Sequence, residues 1–293
     1  MTPLAGPALW WRMLVIGTLW GSSFPLLRLV AQDMSPLALA ALRGGFATLG
    51  VLAFLVVTRQ LGGTLQLRHW IVLGTTNGWV PNLLTALALG RIEAAPAALI
   101  HAATPLLVAL LAVPLLREER AGPRSIAGLL VGFAGIAVIL GPDALAGRAS
   151  FTGGLMILAS GASYALGTIY ARRVRPGAPA QLALGQQLVS GGVAALLSLP
   201  FDPGTAYAQP AWVFGVVAVL GIFASALPLT MFLSLLARAR ATDAAMVGYL
   251  QPPVAAALGA AMLGEVPSPL VLVGGIVVLA GVWLATSRPP PRR

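Results

Sequence analysis

Apolar runs of about 20 residues recur from one end of this chain to the other, and each is long enough to cross roughly 30 Å of hydrocarbon. The segments 36–58 and 211–237 are two of them. The breaks between runs are short and carry turn chemistry: Gly62-Gly63, Gly122-Pro123, Gly141-Pro142-Asp143, Arg175-Pro176-Gly177 and Asp202-Pro203-Gly204. Only 9% of the residues are charged, against about 25% in a soluble domain. The pattern predicts an all-α polytopic membrane protein with almost nothing outside the bilayer. Ten spans can be drawn, at 9–31, 36–58, 69–90, 94–116, 123–141, 152–172, 179–200, 211–237, 241–264 and 268–287.

The net charge of +10 would suggest nucleic acid in a soluble protein. Here the basic residues, all arginine, fall in loops and orient the chain in the membrane. With the N-terminus inside, the cytoplasmic segments hold Arg12, Arg59, Arg68, Arg117, Arg120, Arg124, Arg172, Arg173, Arg175, Arg238, Arg240, Arg288, Arg292 and Arg293. The outer loops hold only Arg91 and Arg148, with Arg28 near an outer helix end. Both termini are therefore expected in the cytoplasm. The chain has no cysteine, which excludes disulfides, thiolate metal sites and cysteine nucleophiles. The first 31 residues do not read as a signal peptide, because the apolar run is too long and only Arg12 precedes it.

An internal repeat is visible. Residues 73–118 align with 220–265 without a gap. Leu73-Gly74 meets Leu220-Gly221, Pro81 meets Pro228, Arg91 meets Arg238, Pro105 meets Pro252 and Glu118 meets Glu265. Gly128 and Gly135 match Gly274 and Gly281, and Trp20 falls opposite Tyr164. Five spans per half is an odd number, so the second half enters the membrane in the opposite sense. The expectation is two inverted-topology five-helix repeats, 1–143 and 144–293, with a site between them near the midplane.

Several of these residues also carry a family likeness. Leu19-Trp20-Gly21-Ser22-Ser23-Phe24, Leu42-Arg43, Thr104-Pro105-Leu106 followed by Leu116-Arg117-Glu118-Glu119-Arg120, and Gln251-Pro252-Pro253 with Gly264-Glu265 resemble the EamA family of the drug/metabolite transporter superfamily. The likeness covers nearly the whole chain. It implies ten helices in two inverted halves and export of small metabolites across a bacterial inner membrane. Within the family the chain looks most similar to YddG-type exporters of aromatic amino acids and related metabolites. One departure stands out. Arg-Glu-Glu-Arg of the first half has only Gly-Glu-Val as its echo, so no functional role passes to Glu265.

The eight carboxylates, Asp33, Glu93, Glu118, Glu119, Asp143, Asp202, Asp243 and Glu265, all fall at span ends or in loops. Ion-coupled pumps usually keep an acidic group inside the membrane, so carboxylate-based coupling is not expected. An enzyme needing paired acids, a metal centre or a triad is not expected either. No cofactor is implied. Glycines at Gly17/Gly21, Gly74/Gly78 and Gly128/Gly132 fit close helix packing. Pro25, Pro81, Pro105, Pro114, Pro228 and Pro252-Pro253 interrupt spans, which is tolerated where protein or a wet cavity satisfies the freed backbone.

Trp10, Trp11, Trp70 and Trp212 lie at span ends, where interfacial anchoring is the default. The candidate substrate-binding residues are Trp20, Ser23, Asn77, His101, Tyr164, Tyr249 and Gln251. For the aromatic members a stacking surface and ordinary packing both stand. Asn77 shares a helix face with Pro81. Arg43, a cation well inside the second span, either meets a substrate carboxylate or serves as a structural cation. His101 lies roughly 10 Å below the outer end of its span, on the face of Thr104 and Pro105. It either hydrogen-bonds substrate and cavity water in its neutral form or ties two helices. The reading is an exporter of small, mostly apolar metabolites, amino acids including aromatic ones, working by alternating access without obligatory ion coupling. Its partners are the small-molecule substrate and the lipid bilayer. An exchanger of anionic metabolites such as sugar phosphates, and a membrane-embedded enzyme or scaffold, are the alternatives.

Overall fold

The computed structural model describes residues 7–60, 67–115, 123–145, 149–174, 179–202, 204–236 and 247–286. Among them there is no strand. Five helices are long and apolar enough to cross a membrane: Trp10–Val30, Pro36–Val57, Ser150–Ala171, Pro179–Phe201 and Ala211–Leu235. Ala94–Val108, Ile126–Leu140, Leu250–Leu263 and Pro269–Leu284 are shorter apolar helices. The exterior is greasy, with Leu130, Leu196, Phe201 and Ile276 all exposed, as lipid contact requires. Arg117, Arg120, Glu118, Glu119, Arg148, Arg175, Arg238, Arg240, Asp243 and the tail 288–293 lie outside the described residues.

In chain order the helices are α1 (Pro7–Val30) and α2 (Pro36–Val57). Next come α3 (Leu67–Gly74), a π-helical turn at Thr75–Trp79, and α4 (Val80–Leu89). A fourth run is split into α5 (Ala94–His101) and α6 (Thr104–Leu115). Three long helices follow: α7 (Pro123–Leu145), α8 (Ala149–Val174) and α9 (Pro179–Phe201). Then α10 (Ala211–Gly221) leads through a second π-helical turn at Ile222–Ala226 into α11 (Leu227–Leu236). The described chain closes with α12 (Val247–Leu263) and α13 (Pro269–Thr286).

Local chemistry sets the boundaries. Ser35 caps α2, its Oγ accepting from the Ala38 N–H at 3.1 Å, and Pro36 follows in the first turn, where its missing N–H costs nothing. Gly264, with φ of 68°, ends α12 in the left-handed conformation that glycine adopts without a Cβ penalty. The chain turns there so that Glu265 N–H bonds back to the Gly259 carbonyl at 3.2 Å.

Three of the expected proline breaks are present, and they are local. Pro81 and Pro228 each follow a π turn as the second residue of a helix, and Pro105 follows the α5–α6 break in the same way. A proline leaves the carbonyl four residues back without its helical donor. Two of those carbonyls have found other donors. Gln186 Nε2 reaches the Asn77 carbonyl at 3.1 Å, and Thr104 Oγ1 reaches the His101 carbonyl at 2.6 Å. Pro25 and the Pro252-Pro253 pair sit inside unbroken helices, so the repeat partners Pro105 and Pro252 do not share a break.

The two π turns occupy corresponding positions in the alignment that pairs Leu73 with Leu220, and so do α4 and α11. Helix contacts also come in counterpart pairs. α2 packs on α9, and α7 on α13; α1 on α12 is matched by α8 on the α5–α6 run. At the α2–α9 crossing Gly44 lies against Gly191, with no room for a Cβ on either. At the α7–α13 crossing Gly135 meets Gly274 while Gly281 meets Gly128. Small residues here let backbones touch. Trp10, Trp11 and Trp212 are exposed at helix ends. Trp70 departs from the anchoring expectation, because its ring lies against Gly185 of α9.

Candidate functional site

His101 is the last residue of α5, immediately before the break. Its imidazole stands between two ring edges. Phe24 of α1 lies 5.5 Å away at 61°, and Tyr164 of α8 lies 5.4 Å away at 86°. Both are edge-to-face contacts of the kind aromatic rings prefer. The Nδ1 atom of His101 is buried and has no hydrogen-bond partner among the described residues. A buried polar atom without a partner costs roughly 1–3 kcal/mol, so the arrangement is not one that packing alone would favour.

Arg43 enters the same region from α2 with 8% of its surface exposed. Its Nε donates to Ser225 Oγ at 2.8 Å, and Ser225 Oγ donates in turn to the Leu220 carbonyl at 2.9 Å. Ser225 belongs to the second π turn, which sets its hydroxyl facing α2. Arg43 lies within electrostatic reach of both Tyr164 and His101. Arg43, His101, Tyr164, Phe24 and Ser225 therefore form one cluster, drawn from α2, α5, α8, α1 and the second π turn.

A second polar seam surrounds the first π turn. Gly78 leaves helical geometry there (φ −126°, ψ −108°). Ser163 donates to the Thr76 carbonyl at 2.8 Å. Asn77 Oδ1 is buried without a hydrogen-bond partner among the described residues, close against Gly167. Ser163 is the neighbour of Tyr164 in α8, so the seam adjoins the cluster.

Other expected residues sit elsewhere. Trp20 is half-buried and meets Phe232 edge-to-face at 4.9 Å. It belongs to a separate apolar group with Met13, Ile16, Leu235 and Val247. Ser23 is buried and spends its hydroxyl on the Trp20 carbonyl at 2.6 Å. Gln251 is buried at the α1–α12 crossing, where Gly21 lies against its backbone. Tyr249 is in α12, and its side chain lies outside the described residues. Sequence reasoning passed over Phe24 and Ser225. Phe24 stands one helical turn after Trp20, inside a motif already singled out, and that spacing is a usable signal. Ser225 aligns with Gly78, so its role has no echo in the first half.

A small polar cluster inside a bundle of apolar helices fits transport rather than a surface function. The model of the EamA-like transporter family matches this chain twice, over residues 9–141 and 151–287. The chain belongs to the EamA-like transporter family. This EamA-like transporter is a multi-pass membrane protein and not an enzyme. It is 27% identical over 288 residues to a probable terminal-alkyne amino-acid exporter of Streptantibioticus cattleyicolor, covering 97% of this chain and 95% of that one. It is 26% identical over 282 residues to the uncharacterized inner membrane transporter YedA of Escherichia coli K12, covering 92% and 88%. A protein of known crystal structure shares the fold, with a TM-score of 0.69 and 22% identity over 93% of this chain and 95% of that chain. Membership of the family implies a small-molecule substrate and a lipid environment.

Proposed function

We propose that this EamA-like transporter exports small metabolites, amino acids including aromatic ones, across a bacterial inner membrane. It does so by alternating access around the cluster of His101, Arg43 and Tyr164. The chain would cross the membrane ten times as two inverted five-helix repeats, 1–143 and 144–293, with both termini in the cytoplasm. Two successive matches to one family model support the repeat reading, as do the π turns at corresponding positions and the reciprocal glycine contacts. The arginine asymmetry supports the orientation. Reporter fusions at the N-terminus, near Arg173 and at the C-terminus should all report cytoplasm.

The observation that carries the functional reading is the placement of His101. It comes from the first half, and Tyr164 of the second half brackets it. A group that waits for a partner at such a boundary is suited to a ligand whose passage moves one half against the other. Asp33, Glu93, Asp202 and Glu265, the carboxylates whose side chains are described, make no contact with the cluster, which supports flux without obligatory coupling to protons or sodium. The competing reading, exchange of sugar phosphates, draws on Arg43, but a single guanidinium does not neutralise a dianion. The test is efflux from proteoliposomes loaded with a panel of radiolabelled amino acids and glucose 6-phosphate. Efflux of phenylalanine and leucine with none of the sugar phosphate is expected; the opposite selectivity overturns the proposal.

A further inference from the structure

We propose that Arg43, held by Ser225, is a carboxylate-binding subsite, so that the substrate is a monocarboxylate that presents its carboxylate to the α2 side of the cluster. This deepens the amino-acid reading and rests on it for the identity of the rest of the substrate.

Two arginines in this structure make the contrast. Arg28 is used up: its Nε meets Glu265 Oε1 at 3.0 Å and its Nη1 donates to the Leu89 carbonyl at 2.6 Å. That is an arginine tying elements together. Arg43 is buried more deeply, yet its hydrogen bond among the described residues is the one from Nε to the neutral Ser225 hydroxyl. That bond fixes the plane of the guanidinium, and neither Nη group makes a hydrogen bond among the described residues. A guanidinium offers paired N–H groups that match the two oxygens of a carboxylate.

Charge leads to the same place. A buried cation is strongly disfavoured unless an anion or several dipoles compensate it. The described carboxylates whose surroundings are known are Asp33 and Glu93, both exposed, Asp202 after α9, and Glu265 on Arg28. None lies against Arg43. The ionisable side chains within electrostatic reach of Arg43, Tyr164 and His101, supply no negative charge at neutral pH. A ligand carboxylate would supply the compensating charge. One cation matches one negative charge, which favours a monocarboxylate over a phosphate ester. Phe24, His101 and Tyr164 then lie where the remainder of the ligand would extend.

The experiment uses the full chain in detergent and in proteoliposomes. Binding is read by thermal stabilisation with 3-phenylpropionate, its neutral amide 3-phenylpropionamide, and phenethylamine; flux is read with phenylalanine. The wild type should bind 3-phenylpropionate at least about tenfold more tightly than the amide, the ratio expected of a hydrogen-bonded charge pair, and should not bind phenethylamine measurably. Arg43→Gln should erase the difference between acid and amide, and Arg43→Lys should keep part of it. Ser225→Ala, a mild change, should narrow the ratio without loss of folded protein, which keeps the test open if Arg43→Gln fails to fold. Equal binding of acid and amide by the wild type, no stabilisation by the acid, an unchanged ratio in Ser225→Ala, or an unchanged ratio in a folded Arg43→Gln overturns the subsite. Acid selectivity that depends on Arg43 in a protein that moves no phenylalanine keeps the subsite and removes the amino-acid reading. Normal phenylalanine flux in folded Arg43→Gln does the reverse.

Discussion

Glu265 holds Arg28 and the start of α5 together: one carboxylate oxygen takes Arg28 Nε at 3.0 Å, and the other takes the Ala94 N–H at 2.9 Å. The pair joins the end of α1 to the turn after α12, and Arg28 adds the Leu89 carbonyl at the end of α4. Four chain segments thus meet at one carboxylate and one guanidinium. The side chains are 26% and 11% exposed, so water screens the pair incompletely.

Removing this carboxylate should cost more than removing its charge. Glu265→Ala leaves Arg28 without its anion and Ala94 N–H without its acceptor, a loss of about 1–3 kcal/mol. Glu265→Gln keeps an acceptor for Ala94 and should lose less. Thermal unfolding followed by size-exclusion chromatography reads the order. Equal midpoints for the two variants would show that the Ala94 bond adds nothing.

The crossing of α2 and α9 gives a sharper contrast. Gly44→Val and Gly191→Val drive a side chain into facing backbone and should yield aggregated protein, since overpacking of even 1–3 kcal/mol is multiplied at a main-chain contact. Gly45 and Gly192 are their neighbours in sequence and have open space around a Cβ. Gly45→Ala and Gly192→Ala should purify like the wild type. Fluorescence-detected chromatography of the four variants settles the matter in one run.

Trp20 and Tyr164 should now behave differently. Trp20 packs on Phe232 away from the cluster, so Trp20→Ala should lower the melting temperature and reduce flux of every substrate alike. Tyr164→Ala removes one wall of the His101 bracket. Flux of phenylalanine should fall more than flux of alanine, by the 0.5–1.5 kcal/mol or so that an aromatic contact adds beyond area. Uniform losses in both variants would assign Tyr164 to packing.

His101 should need its hydrogen bonds and not a coupled proton. His101→Gln, with a donor and an acceptor, should retain much of the flux; His101→Leu should lose it while remaining folded. Dissipating proton and sodium gradients should leave downhill equilibration intact in the wild type. Uphill accumulation that a protonophore abolishes would overturn this and make His101 the candidate proton carrier.

The helices were readable in sequence because hydrocarbon imposes a length and turns impose a residue chemistry, and the described helix ends fall close to the expected ones. The π turns fall at positions that the alignment of Leu73 with Leu220 pairs, and that alignment rests on glycine and proline, which act on the backbone. Side chains obey no such rule. Trp20 and Tyr164 match in register and differ in every contact, and Ser225 serves Arg43 where the first half has Gly78. The Arg28–Glu265 pair spans 237 positions, and the partial motif around Glu265 gave no cue to it. Such a contact is created by packing alone, as is the meeting of Phe24 with His101.

The cap on α5 has a consequence for how the protein is made. The acceptor for Ala94 N–H is 171 residues further along the chain, and Glu93, at the N-cap position, makes no cap bond with its side chain. A helix start without its acceptor frays, and α5 is the helix that ends in His101. Until Glu265 has been synthesised, the Ala94 N–H lacks the acceptor it has in the folded protein. The helix that carries His101 comes early in the order of translation and receives this acceptor late.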